Sequence, residues 1–137
     1  MTVKTSKTPQ LLLIRGLPGS GKSTMARSMV DRVHLEADMF FVVDRVYTHD
    51  ASKIVEAHDW CRLKMREALA AGTNVVISNT CSRYRAMHQY LAIAREMRVP
   101  VTVIEATGTW PSIHGVPEDR IAHMRERWEK VPSSFPA

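Results

Sequence analysis

Nine residues constrain this chain more than any others: Gly16-Leu17-Pro18-Gly19-Ser20-Gly21-Lys22-Ser23-Thr24, which fit G-x-x-x-x-G-K-[ST]. The apolar run Leu11 to Ile14 before them predicts a buried strand, and Met25 to Val30 after them predicts a helix. Strand, glycine loop and helix together distinguish a phosphate-binding loop from a glycine-rich turn. Glycines let backbone N–H groups turn inward towards phosphate oxygens, and the helix N-terminus adds partial positive charge. Gly16, Pro18, Gly19, Ser20, Gly21 and Thr24 then form the cradle. Lys22 is expected to reach the β- and γ-phosphates, and the Ser23 hydroxyl to ligate Mg²⁺. The expected ligand is a nucleoside triphosphate.

At 137 residues the chain is expected to form one domain over 1–137, with loose tails at 1–9 and 132–137. Nineteen Lys+Arg against 14 Asp+Glu give a formal charge of +5, which suits a nucleotide or nucleic acid and equally serves plain solubility. Cys61 and Cys81 form neither a metal-ligand spacing nor a disulfide framework, and both are expected to be reduced. Thr2 to Gln10 is polar, without an apolar signal region, and no stretch approaches the roughly 18 apolar residues of a membrane span. A cytoplasmic location is expected.

Along the chain the pattern alternates. Gln10–Arg15 reads as a strand and Lys22 to about Arg32 as a helix, followed by a short strand at Val33–Glu36. A helix capped by Ser52 carries a stripe at Ile54, Ala57, Cys61, Met65 and Ala68, and Gly72 stops it. Asn74–Ser78 is the third strand, ending at Asn79-Thr80, and Ser82 to about Arg98 is a helix with Tyr84, Met87, Leu91 and Ala94 on one side. Val99–Glu105 is the fourth strand, Thr107–Val116 a loop, and Pro117-Glu118-Asp119 opens a last helix burying Ile121, Met124, Trp128 and Val131. The fold expected is α/β: a parallel sheet of about four strands, of the P-loop NTPase type, sandwiched between helices. Ligands would gather at the carboxyl ends of the strands.

Asp38 follows the second strand and would lie beside the γ-phosphate, where a carboxylate can accept the proton of an attacking hydroxyl. On position alone it could equally cap a helix. Glu36, on the opposite face from Ala37, is the weaker candidate, and Asp44 and Asp50 read as solvated. Phe40, Phe41, Tyr47 and Trp60 cluster at the same entrance and could stack on a base or fill the core. Phe41 is the better acceptor candidate if its neighbour Phe40 takes the core direction. The six histidines form no ligand spacing, and His58 with Cys61 one turn on does not make a zinc site.

Gly16–Thr24, Glu36-Ala37-Asp38-Met39-Phe40, Val76-Ile77-Ser78-Asn79-Thr80 and His114-Gly115-Val116-Pro117, in this order, resemble the P-loop kinases related to polynucleotide kinase over residues 11–130. The resemblance implies ATP-dependent phosphorylation of a hydroxyl, with Lys22 and Asp38 as catalytic residues and Asp38 the general base. The chain departs from the pattern at two places. Such kinases carry an arginine for an acceptor phosphate three residues after the aspartate, and here that residue is Phe41. They also carry lid arginines before the last helix, and Thr107–Val116 has none, so Arg83, Arg85, Arg120 or Arg125 must neutralise the transferring charge. Asn79 stands where many P-loop proteins have a metal-supporting aspartate; it could bind water on Mg²⁺, hold an acceptor group, or be a turn residue. The chain also resembles small phage DNA kinases acting on hydroxymethylated pyrimidines. A ring stacks on a base but cannot pair with a phosphate, so Phe41 favours a hydroxymethyl base in DNA (5-hydroxymethyluracil) over a 5′-hydroxyl end. A small-molecule or nucleoside kinase is the next alternative, and a non-catalytic ATP-binding module the one from another class. Phosphotransfer to DNA, in host cytoplasm if the chain is phage-encoded, is the expectation, with Phe41, Asn79 and Arg83 as acceptor-binding residues.

Overall fold

Six consecutive buried residues, Leu11–Gly16, form strand β1 at the heart of the sheet. The computed structural model describes residues 9–111 and 115–130. The expected tails at 1–8 and 132–137, with Val131 and His114, lie outside the described residues, while Pro9 belongs to them. After β1 come α1 (Lys22–Arg27), β2 (Val33–Leu35), a 3₁₀ turn (Ala37–Phe41), β3 (Val42–Val43), β4 (Val46–Tyr47) and α2 (Ile54–Ala70). They are followed by β5 (Val75–Asn79), α3 (Tyr84–Glu96), β6 (Val101–Ala106) and α4 (Glu118–Glu126).

The main sheet runs β2-β5-β1-β6, parallel throughout, with Leu13 paired to Ile77 on one side and Val103 on the other. A parallel sheet needs both faces covered, which explains why β1 and β5 are continuous apolar runs instead of alternating ones. The side-chain period of two sorts β1 between the faces. Leu11 and Leu13 join Ala57, Cys61, Met65, Met87 and Leu91 from α2 and α3. Leu12 and Ile14 join Ala26 of α1, with Met25 and Met29 packed against them. The expected α/β sandwich of four parallel strands is the fold found. No helix among the described residues is long and apolar enough to cross a membrane.

Three local details differ from expectation. α1 ends at Arg27, and Ser28 closes it by donating from Oγ to Met25 O at 2.6 Å, well before Arg32. α2 begins at Ile54, because Asp50, not Ser52, caps the preceding turn by accepting from Ser52 N at 3.0 Å. Residues 42–47 form a hairpin whose turn holds Asp44 and Arg45 at positive φ, 51° and 68°. That is the turn handedness that matches strand twist, here without the glycine that usually announces it.

Candidate active site

The loop after β1 turns back at once because Gly16 has no side chain: a Cβ there would overlap the Ser20 hydroxyl. Gly19 and Gly21 take φ of 83° and 88°, conformations that only glycine adopts at little cost. Ser20 N donates to Leu17 O at 3.0 Å and Gly16 N to Thr80 O at 3.3 Å, so the loop is fixed to itself and to the end of β5. Pro18, Gly19, Gly21, Lys22, Ser23 and Thr24 line a cavity of about 670 Å³, while Gly16 and Ser20 are buried beneath it.

Two acids face this cavity. Glu36 is buried: Ser78 Oγ donates to its Oε1 at 2.7 Å, His34 Nε2 lies 2.9 Å away, and the Ser23 hydroxyl also bonds it. Burial alone would raise its pKa, but these hydrogen bonds, from His34 first, then Ser23 and Ser78, carry it down to about 2. Asp38, two residues on in the 3₁₀ turn, is half-buried and accepts from Tyr47 OH at 3.4 Å. Burial first, and then the Asp38 charge, push the Tyr47 phenol up to about 12, so it stays a donor. Burial lowers the Lys22 pKa, and Glu36 and Asp38 oppose that shift. Lysine, serine and two carboxylates thus converge where the phosphate loop meets the end of β2.

Sequence reasoning ranked Glu36 below Asp38 because it compared Glu36 with Ala37. Glu36 ends the extended segment and Asp38 lies in the 3₁₀ turn, so alternation does not relate them; both line the cavity, and their closeness at the end of β2 was the available signal. Magnesium bound to phosphates takes only one or two protein oxygens and completes its shell with phosphate and water. The Ser23 hydroxyl bonded to Glu36, whose pKa is held at about 2, is such a donor pair, and the residues fit the ion. Among the described residues no group of three or more His, Cys, Asp or Glu could hold a metal by itself.

Asn79 also lines the cavity, yet its amide is spent inside the protein. Oδ1 accepts from Ala37 N at 2.9 Å, and Nδ2 donates to Tyr90 OH at 3.0 Å and reaches Cys61 Sγ at 3.8 Å. It holds the turn that carries Asp38.

The Phe40–Phe41 pair is reversed from expectation. Phe41 is 5% exposed, absent from the cavity wall and packed edge-on against Phe40 and Tyr47. Phe40 is the half-buried one, tilted against Trp60. Strand alternation does not apply in a 3₁₀ turn, whose side chains step by about a third of a circle per residue. The rings that do line the cavity near Asp38 are Tyr47, His49 and His58. Arg83 is exposed, lies outside the cavity wall, and has its Nε 3.7 Å from Glu129 Oε1. Arg120 of α4 lines the cavity instead. The buried Arg15 is a further residue that sequence reading passed over. Its Nη2 donates to Cys81 O at 2.9 Å and Glu129 O at 2.6 Å, and its guanidinium lies 4.1 Å from the Trp128 ring centre. It ties the end of α4 to the sheet.

A parallel β2-β5-β1-β6 sheet, a glycine loop closed by Lys-Ser and an aspartate across from it define a P-loop protein of the kinase type. Residues 11–114 match the family model described as AAA domain, and the chain belongs to that family. It is 31% identical to NEDD4-binding protein 2 of Homo sapiens, over 90% of this chain and 8% of that protein. It is 28% identical to the bifunctional polynucleotide phosphatase/kinase of Schizosaccharomyces pombe, over 74% of this chain and 22% of that protein. The chain thus spans less than a quarter of the length of these relatives. Among solved structures, Kti12 of Chaetomium thermophilum in complex with ADP-AlF3 shares the fold with a TM-score of 0.67 at 18% identity, covering 88% of this chain and 80% of that one. The relation to polynucleotide kinase expected from the motif order is the one found.

Proposed function

We propose that the chain transfers the γ-phosphate of ATP to a hydroxyl on nucleic acid, the favoured acceptor being the hydroxymethyl group of a modified pyrimidine (5-hydroxymethyluracil) in DNA. The observation that carries the kinase reading is Asp38 facing Lys22 and Ser23 across one cavity. Loop N–H groups and Lys22 hold the donor phosphates, and Ser23 and Glu36 would hold Mg²⁺. The ion's chemistry is to neutralise charge on the β- and γ-phosphates. Asp38 takes the proton of the acceptor hydroxyl as its oxygen bonds to the γ-phosphorus, and the bond from that phosphorus to the bridging oxygen breaks. Lys22 and Arg120 stabilise the charge that develops.

The acceptor side favours a ring over a phosphate. Among the described residues the lysine and arginines lining the cavity are Lys22, Arg27 and Arg120, from the phosphate loop, α1 and α4. The wall beside Asp38 is Tyr47, His49, Ile54 and His58. Burial, with Arg62 nearby, lowers the His58 pKa and so favours the neutral ring. Such a wall can stack on a base and holds no lysine or arginine for an acceptor phosphate.

The test offers labelled ATP with a 5′-hydroxyl oligonucleotide, a closed circular duplex carrying hydroxymethyluracil, or free nucleosides and sugars. Label in the circle, reduced about 10²–10⁴-fold by Asp38→Asn with ATP affinity kept, is the expected result. Label in the oligonucleotide alone makes the chain an end kinase, and label in free small molecules alone makes it a small-molecule kinase. ATP binding without transfer to any of them makes it a binding module. Each of these last three outcomes overturns the base acceptor.

A further inference from the structure

Trp110 stands apart from the other aromatic residues of the site. It is 65% exposed, although burying an indole is among the larger apolar gains a chain can make. The loop that carries it is fixed to the phosphate loop: Trp110 N donates to Gly19 O at 2.8 Å, and Gly108 N donates to Ser20 O at 3.1 Å. The ring lies against glycine backbone. A Cβ on Gly21 would sit 2.8 Å from ring atom Cζ3, and one on Gly108 would overlap the same atom. Two glycines therefore make room for a ring that is left largely in water.

Sheet order decides what that ring can meet. The turn bearing Asp38 follows β2 and the loop bearing Trp110 follows β6, the two ends of the order β2-β5-β1-β6. Three strand spacings, about 14 Å, separate those edges. The phosphate loop follows β1, next to β6. An acceptor hydroxyl must approach from the Asp38 side, since the base has to touch it. The side towards β6 is left for the remainder of the donor, its nucleoside. Thr24, Arg27 and Pro111 line the cavity together with Trp110.

We propose that Trp110 is the stacking platform for the donor's nucleobase, a specificity-determining residue for the nucleoside half of the donor. This rests on the kinase reading above. The phosphate loop supplies affinity for the phosphates, and Trp110 supplies the increment that distinguishes a nucleotide from a bare polyphosphate.

Equilibrium binding of ATP and of inorganic tripolyphosphate to the wild type, Trp110→Ala and Trp110→Phe tests it. Trp110→Ala should weaken ATP roughly 5- to 150-fold, the range measured for losing one base–aromatic stack, and leave tripolyphosphate essentially unchanged. Trp110→Phe should keep most of the ATP affinity. Both variants retain the backbone N–H that bonds Gly19, and their thermal midpoints report whether the loop still folds. Equal loss for both ligands would make Trp110 a brace for the phosphate loop and overturn the platform. So would unchanged ATP affinity in Trp110→Ala. A wild type that binds tripolyphosphate as tightly as ATP removes the platform and leaves the phosphate-loop reading standing. A wild type that binds neither removes the kinase reading itself.

Discussion

Glu36 holds a charge where burial alone would neutralise a carboxylate. Hydrogen bonds decide the outcome: with His34, Ser23 and Ser78 around it, the group titrates at about 2 rather than 4.5. That displacement corresponds to on the order of 3 kcal/mol. Because the folded value lies below the ordinary one, the contribution is full above about pH 5 and is lost as the pH falls towards 2. Glu36→Gln should therefore lower stability at about pH 6, and the gap from wild type in urea unfolding should narrow by about 2 kcal/mol near pH 3. A gap of constant size would show that Glu36 contributes through shape and not through charge. In the proposed site the same ionisation keeps a carboxylate available to a cation beside Ser23.

At the level of elements the proposed catalytic geometry depends on the 3₁₀ turn Ala37–Phe41, five residues that connect β2 to the hairpin and carry Asp38. One side chain, Asn79, joins this turn to α2 and α3 through Ala37 N, Cys61 and Tyr90. Asn79→Ala leaves the Ala37 N–H and the Tyr90 hydroxyl without that partner in a buried place, at a cost of about 1–3 kcal/mol in stability. Turnover should fall with it, since Asp38 loses its anchor, while donor affinity stays. A raised acceptor KM at unchanged kcat would instead make Asn79 a contact to the acceptor. The long elements were legible in sequence because burial on both sheet faces writes continuous apolar runs, and helices facing that sheet write a 3.6-residue stripe. The turn and hairpin were not. Asp44 and Arg45 bend the chain with positive φ but without glycine, and the turn presents Phe41 inward where alternation expected Phe40.

Across the whole molecule the two halves of the site differ in how they could be read. The cradle proposed for the donor's phosphates comes from one contiguous stretch, Gly16–Thr24, so its chemistry stood in the sequence. The proposed acceptor half, Asp38, Tyr47, His49, Ile54 and His58, spans the 3₁₀ turn, the hairpin with its following loop and α2, and only packing brings them to one wall. The salt bridge of Arg83 with Glu129 likewise depends on α4 folding back over the sheet, where Arg15 holds its end. Net charge belongs to this scale too, at +5. If the acceptor is a base within a DNA strand, flanking phosphates must pass the cavity mouth, where Arg27 and Arg120 stand exposed. Each neutralised phosphate releases counterions and adds about 0.7–0.9 to the slope of log affinity against log salt. With these two contacts, affinity for the DNA acceptor should fall roughly 7- to 12-fold between about 50 and 200 mM salt. Arg120→Gln should lower the slope by about one contact without moving its dependence on the base. The measurement is acceptor binding without ATP, so that the donor's own charge does not enter. A slope near zero would mean that no strand phosphates lie on this surface, and it would leave a small uncharged acceptor as the only kind the ring-lined wall beside Asp38 could hold.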